Sequence, residues 1–339
     1  MHIGRRYTVS STLQWSSGNI MGPLLYSASI VAIDQYSPVT LGLPWLPVSA
    51  IAISVAFYLG FKNSASYDRL WEARKIWGAI VNASRSWAYS ARDLVAAIHL
   101  PPDSQVEAND LLEIRRTLVL RHAAWLDALR YQLRRITTWE HQGRQFDRYR
   151  EMVSVAEYTE DLAETLAPYL SKTELDEVLG KINPAAHLLA NQSRHLAEIR
   201  DWGVIDGFAH MELQEVLREL MAQQGKAERI KNFPFPRQYA TVNSLFAIVF
   251  TALVPFGLLH EFSGLGPGLA WLSVPFSTLI SWVFLTTDKI GDWSENPFEG
   301  LANDVPITAM ARGIQRDILE MIGQEELPPS REPAGQILM

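Results

Sequence analysis

The sequence predicts an all-α chain in which four membrane-spanning helices accompany a large helical region in water. The first observation is that lysine and arginine are absent from residues 7–61 and again from 238–288, whereas the intervening chain is dense in both charge signs. The second is that long stretches inside these two regions carry no charge at all. Such segregation is typical of a membrane protein with a large aqueous part. The third is helical periodicity through most of the charged region, as in Ala73, Trp77 and Ile80.

Three segments are long enough to be membrane spans: residues 41–61, 239–259 and 265–287 contain no charged side chain. A span needs about 20 predominantly apolar residues. A fourth apolar stretch, 20–33, is shorter and also fits an interfacial or re-entrant segment. We count it as a span because four crossings place both termini and the charged middle region on one side.

That common side carries nearly all the lysine and arginine, so the positive-inside rule makes it cytoplasmic. The predicted protein is therefore a multi-pass protein of the cell membrane. Its predicted regions are an N-terminal segment with the first two spans (1–61), a cytoplasmic helical region (62–238), the third and fourth spans (239–288) and a C-terminal cytoplasmic segment (289–339).

Proline and short polar residues mark the helix breaks within the cytoplasmic parts. Breaks are predicted at 100–105 and 181–187, where these residues interrupt the periodic pattern. Asp304 as a cap and Pro306 in the first turn predict a helix that extends to about Ile322. After Gly323 the chain is expected to be a mobile tail.

Composition excludes several classes of function. A net charge of -7 and the lack of a basic stripe argue against a nucleic-acid partner. There is no cysteine, and the eight histidines form no HExxH or comparable metal-ligand spacing. No G-x-S-x-G, Walker or dinucleotide-binding glycine pattern occurs, so we expect no enzyme activity. Asp288 and Asp292 follow the last span beside Lys289, and we interpret them as a solvated helix end.

The segment ISVAFYLGFKNSASYDR (53–69) is unusual because an apolar helix continues into charged residues without a proline. Ile53, Phe57 and Phe61 recur every fourth residue and form one slightly drifting stripe. Such a stripe ordinarily faces lipid or a neighbouring helix. The unbroken continuation into polar sequence favours a second interpretation, a helix that lines a pore from bilayer depth into water.

Several stretches, in the same order along the chain, resemble the bacterial branch of the bestrophin ion-channel family. Supporting segments are Trp15 with Gly18, ERIKNFPFPRQY (228–239) and ENPFEGLANDVPI (295–307). The main motif comprises Gly60, Phe61, Asn63, Tyr67, Asp68, Arg69, Trp71, Glu72, Ala73, Arg74, Trp77 and Gly78. The resemblance covers roughly residues 10–322, which makes it far more specific than any single short motif.

The resemblance implies a homopentamer with four spans per subunit and one central ion pore. The positions that match the narrow neck are Ile53, Phe57 and Phe61, with Gly60 packed beside them. A second, cytosolic aperture would fall near Phe208. The implied partners are further copies of this chain, membrane lipid and small permeant ions.

Calcium is where the sequence departs from the animal branch of the family. Animal members hold calcium with consecutive acids after an NPF motif, whereas here Phe298 is followed by EGLAND. Hard calcium sites require several converging oxygens. We therefore expect neither calcium gating nor any other cofactor.

Selectivity remains open between two kinds of channel. The family includes anion conductors and, among bacterial members with aliphatic neck residues, cation conductors. Phenylalanine at two neck positions differs from the aliphatic necks of these cation conductors and therefore favours chloride. Ring edges that point to the axis would favour anions, whereas ring faces would favour cations. The alternatives are a monovalent cation channel of the same family and a non-conducting membrane scaffold or sensor.

Overall fold

The computed structural model describes residues 1–97, 100, 106–266 and 268–339. The α-helices of these residues are α1 (Val9–Trp15), α2 (Gly18–Tyr36), α3 (Trp45–Leu94), α4 (Ala108–Arg134), α5 (Arg144–Met152), α6 (Leu162–Leu166), α7 (Lys172–Leu179), α8 (Pro184–Asp201), α9 (Gly207–Asn232), α10 (Arg237–Ser263), α11 (Ser273–Asp292) and α12 (Ile307–Met321). The predicted all-α fold class is confirmed. Of the break predicted at 100–105, residues 101–105 lie outside the described part of the chain.

The chain divides into two compact units. The apolar unit comprises residues 4–70 and 234–296, and therefore α1, α2, the first half of α3, α10 and α11. The bundle unit comprises residues 1–3, 71–233 and 297–339, with the second half of α3 and the remaining helices.

Among the described residues, three helices are long and apolar enough to cross a membrane: α3, α10 and the segment 269–292 that contains α11. These correspond to the three uncharged segments. The fourth predicted span, 20–33, lies inside α2, which has 19 residues. At 1.5 Å per residue α2 is about 28 Å long, close to the thickness of a hydrocarbon core. The helix is thus longer than the apolar stretch suggested, and its crossing of the membrane remains a prediction.

Small residues allow close helix packing in the apolar unit. Val55 and Leu59 of α3 are buried against Phe250 of α10. At Gly257 of α10, an added Cβ atom would lie only 2.7 Å from the Trp45 ring of α3. In a bilayer, van der Waals packing replaces the hydrophobic drive between helices, and such contacts depend on small residues. Glycine is therefore required at this crossing.

The bundle unit is organised around α4, most of whose residues are buried. Two buried indoles carry their own hydrogen bonds. Trp87 of α3 donates to the carbonyl of Leu118 at 3.2 Å, and Trp125 donates to Gln224 of α9 at 2.8 Å. The break predicted at 181–187 is present, since α8 begins at Pro184 behind the Asn183 cap.

The loop before α12 differs from its prediction. The helix begins at Ile307 with Pro306 as the N-cap residue, so Asp304 does not cap it. The Asp304 carboxylate instead accepts backbone N–H groups of Phe298, Gly300 and Val305 at 2.7–2.8 Å. Phe298 and Gly300 have φ values of 71° and 88°. The carboxylate therefore holds together a tight loop in its own segment.

The C-terminal residues make contacts within the bundle unit, and the mobility predicted for the tail stays a prediction. The backbone N–H of Ile3 donates to Gln336 at 2.9 Å, and Met339 is buried with Val153 and Val155. The apolar residues ILM at the end of the sequence supply this contact. Composition alone did not reveal it, because the partners lie far away in sequence.

Candidate functional site

The first half of α3 has two opposite faces. Val55, Leu59, Lys62 and Ser66 are buried and recur with spacings of three or four residues. The other face is exposed, and no residue of the described chain covers it. Because each helical residue advances about 100°, Phe57 lies nearly opposite Leu59 and Val55.

The predicted neck residues lie on this uncovered face. Ile53, Phe57 and Phe61 are 74%, 65% and 53% exposed. The rings of Phe57 and Phe61 are in direct contact as an edge-to-face pair, with centroids 4.6 Å apart and planes at 85° to one another. A spacing of four residues turns the helix by about 40° per step, so the three side chains form one drifting apolar stripe.

Gly60 and Phe208, the other two predicted site residues, are both exposed. An added Cβ at Gly60 would meet no atom of another described part of the chain within 4 Å, and the packing of Gly60 beside the neck stays a prediction. Phe208 lies in the first turn of α9, behind the Asp206 cap, and is 84% exposed. It belongs to the bundle unit, and its assignment to an aperture remains a prediction.

The buried side of α3 contains a charge pair that sequence reasoning missed. Lys62 Nζ lies 2.7 Å from the Asp288 carboxylate of α11, and the two side chains are 1% and 16% exposed. Asp288 is therefore not part of a solvated helix end, as the sequence interpretation had it. Its partner is Lys62, 226 residues away, rather than the adjacent Lys289.

The residues after NPF do not fit a calcium ion. Oxygens of Asp304 accept N–H groups and the Arg134 guanidinium at 2.6 Å. Glu299 accepts from His141 and Arg150. Every one of these contacts directs a donor at the carboxylates, the opposite of what a cation site requires. Among the residues that the structure describes, no group of three or more acidic, histidine or cysteine side chains could hold a metal ion.

The family described as Bacterial/Fungal Bestrophin protein matches residues 8–320 of this chain. The chain belongs to the bacterial bestrophin family. The resemblance of the sequence motifs is thereby confirmed over almost the whole chain, and the family is one of ion channels rather than enzymes.

Among the relatives of this bestrophin is a voltage-dependent anion channel-forming protein of Mesorhizobium japonicum, 28% identical over 316 residues, which are 93% of this chain and 87% of the relative. A protein of the same description from Escherichia coli K12 is 27% identical over 319 residues, 94% of this chain and 90% of the relative.

Crystal structures of bacterial bestrophin homologs also resemble this chain. A crystal structure of a mutant bacterial Bestrophin homolog from Klebsiella pneumoniae matches with a TM-score of 0.74 and 26% identity, covering 91% of this chain and 99% of that one. A second crystal structure of the Klebsiella homolog matches with a TM-score of 0.73 and 25% identity, covering 91% of this chain and 98% of that one.

Proposed function

We propose that this bestrophin forms a homopentameric channel whose neck is lined by Ile53, Phe57 and Phe61, and that it conducts anions such as chloride. One observation carries the proposal: among the described residues of its own chain, none covers the apolar stripe on α3, which lies opposite the face that packs on α10. The relatives described as anion channel-forming support the choice of ion.

A ring of such stripes would act as a hydrophobic constriction. Five copies around an axis would place three apolar rings in succession, and an apolar constriction gates a pore by excluding water when it narrows. An apolar ring does not bind ions tightly, so ions pass rapidly once it widens. Phe208 is proposed to line a second, cytosolic aperture. Both termini are proposed to lie in the cytoplasm.

Anion preference is proposed to come from the rings. The edge of a phenyl ring is positive and its face negative, so edges directed to the axis favour anions and faces favour cations. Phe57 and Phe61 are nearly perpendicular to one another, so the two rings present different aspects to any one direction. Replacing each ring separately by isoleucine therefore tests which one sets the preference.

The deciding experiment is a reversal-potential measurement on purified protein in a planar bilayer with a tenfold sodium chloride gradient. An ideal anion or cation channel reverses near the equilibrium potential of its ion, about 59 mV from zero in opposite directions. Reversal near the chloride value supports the proposal. Reversal near the sodium value establishes the cation channel instead.

The second candidate is a membrane scaffold or sensor that passes no ions. It would use the exposed helices of the bundle unit to bind a partner. Purified protein that elutes as an oligomer but gives no current at any voltage, across repeated fusions, would establish this alternative.

A further inference from the structure

Lys62 follows the last neck residue, Phe61, directly in the sequence, yet its side chain is buried. Only 1% of that side chain is exposed, and its Nζ lies 2.7 Å from Asp288 of α11. Lys62 lies five residues after Phe57 and nine after Ile53, or about 140° and 180° around the helix. The ammonium group thus points away from the stripe proposed to line the neck.

A second polar contact joins the same two helices. The side-chain amide of Asn63 donates to the carbonyl of Thr287 at 3.2 Å and to that of Leu59 at 2.9 Å. Gly291 makes this approach possible, because a Cβ atom there would lie 2.7 Å from Asn63 Oδ1. Two consecutive residues of α3 are therefore held by one turn of α11.

These polar contacts orient α3 more strictly than its apolar contacts do. Packing of Val55 and Leu59 on α10 is non-directional, and lipid tails would replace such contacts at little loss. A buried ammonium is different, because it is strongly unfavourable unless a carboxylate meets it. Any rotation of α3 that separates Lys62 from Asp288 exposes both groups to this penalty.

We propose that the Lys62–Asp288 ion pair sets the rotational position of α3 and thereby determines which face of the helix lines the pore. Lys62 and Asp288 are positioning residues, since neither lies on the stripe itself. The inference rests on the proposed function, because it takes Ile53, Phe57 and Phe61 as the neck.

Cysteine accessibility tests the rotation directly, because the chain has no native cysteine. Two reporters are made in the full-length channel, Phe57→Cys on the stripe and Tyr58→Cys about 100° away. Each is exposed to a charged, membrane-impermeant methanethiosulfonate reagent while current is recorded. With the ion pair intact, position 57 should react at least about tenfold faster than position 58, a difference of about 1.4 kcal/mol.

The ion pair is then removed by combining Lys62→Met with Asp288→Leu. This double variant leaves no unpaired buried charge, and apolar replacement of a buried pair is often neutral for stability. The ratio of the two reaction rates should fall towards one. Exchange of the charges, Lys62→Asp with Asp288→Lys, should restore it.

The matched control is Lys75→Met, which removes an ion pair with Glu72 on the same helix whose side chains are well exposed. It should leave the ratio unchanged. An unchanged ratio in the Lys62 and Asp288 double variant would overturn the inference. If that variant fails to elute as an oligomer, the charge-exchange variant decides. A ratio of the two reaction rates equal to that of the native protein supports the inference, and a ratio near one overturns it.

Failure of the proposed function can be distinguished from failure of the positioning role of the ion pair. If modification of Phe57→Cys leaves the current unaltered in the otherwise native protein, then Phe57 does not line the neck and the proposed function fails. A normal block at position 57 with no effect of the ion pair rejects only the positioning role.

Discussion

Replacing Asp304 by asparagine should strongly destabilise the bundle unit. Oδ1 of Asp304 accepts the N–H groups of Phe298 and Val305, and Oδ2 accepts the N–H of Gly300 and the Arg134 guanidinium at 2.6 Å. All four contacts require an acceptor. An asparagine amide offers one oxygen and one NH₂ group, so two donors would face another donor.

The magnitude follows from the burial of the pair. The Arg134 and Asp304 side chains are nearly inaccessible. In the variant, the one charge partner left to Arg134 among the described residues is Glu157, at 4.0 Å. Removal of one partner of a buried ion pair destabilises by about 3–5 kcal/mol. For a unit of this size, each kcal/mol lowers Tm by about 2–4 °C. The expected decrease in Tm is therefore about 6–20 °C.

Thermal unfolding followed by tryptophan fluorescence measures this decrease, because Trp77, Trp87 and Trp125 are buried in the same unit. The control is Asp317→Asn, which makes the same chemical change at an ion pair with Arg85 that is 40–48% exposed. Exposed pairs contribute about 0–1 kcal/mol, so its Tm should decrease by less than about 4 °C. Equal decreases in the two variants would refute the reasoning.

Three further predictions concern titration, conduction and calcium. Burial lowers the pKa of His122 from 6.5 to about 3, and neither ring nitrogen has a hydrogen-bond partner among the described residues. Below about pH 6.5 the unfolded chain takes up a proton at His122 that the folded chain does not. The free energy of unfolding should therefore decrease by about 1.4 kcal/mol for each unit by which the pH falls. In denaturant titrations at pH 7 and pH 5, His122→Leu should remove this contribution to the pH dependence of the free energy of unfolding. His187→Leu, at an exposed histidine, should not remove it. Identical pH dependence in both variants would contradict the role given to His122. Phe57→Ala should raise single-channel conductance, whereas Phe276→Ala should not, although this α11 ring is also exposed, at 49% against 65% for Phe57. Unaltered conductance in the Phe57 variant would remove Phe57 from the constriction. Chelation of calcium should leave the current unchanged, and a current that increases with added calcium would contradict the donor-facing arrangement at Asp304.

The helices could be predicted from the sequence because their signals are local. Uncharged segments identified the apolar helices. Helix α3 continues past Gly60 into its charged half, because no proline follows Pro47 within it. Helix α2 was underestimated. Its apolar stretch stops before Asp34, but the helix continues to Tyr36, and the Asp34 side chain accepts the N–H of Leu41 at 2.9 Å.

Long-range polar partners could not be predicted in the same way. Asp288 precedes Lys289 in sequence, and that neighbour suggested a solvated helix end. The Lys62 ammonium reaches Asp288 only because α3 and α11 pack side by side. Likewise Asp304 has the sequence position of a helix cap, but the loop with left-handed backbone at Phe298 and Gly300 directs the N–H groups of these two residues to its carboxylate.

The distribution of charge along α3 restricts how the proposed neck can select ions. No side chain from residue 41 to residue 61 is charged, and the first ammonium beyond them, Lys62, is turned away from the stripe and neutralised by Asp288. An ionised α3 side chain therefore cannot supply the preference at the level of Phe57. What remains there is the quadrupole of the rings and the free energy of dehydration. Dehydration does not distinguish the sign of charge as directly as ring orientation does, so substitution of the phenylalanines should alter selectivity more than substitution of Ile53.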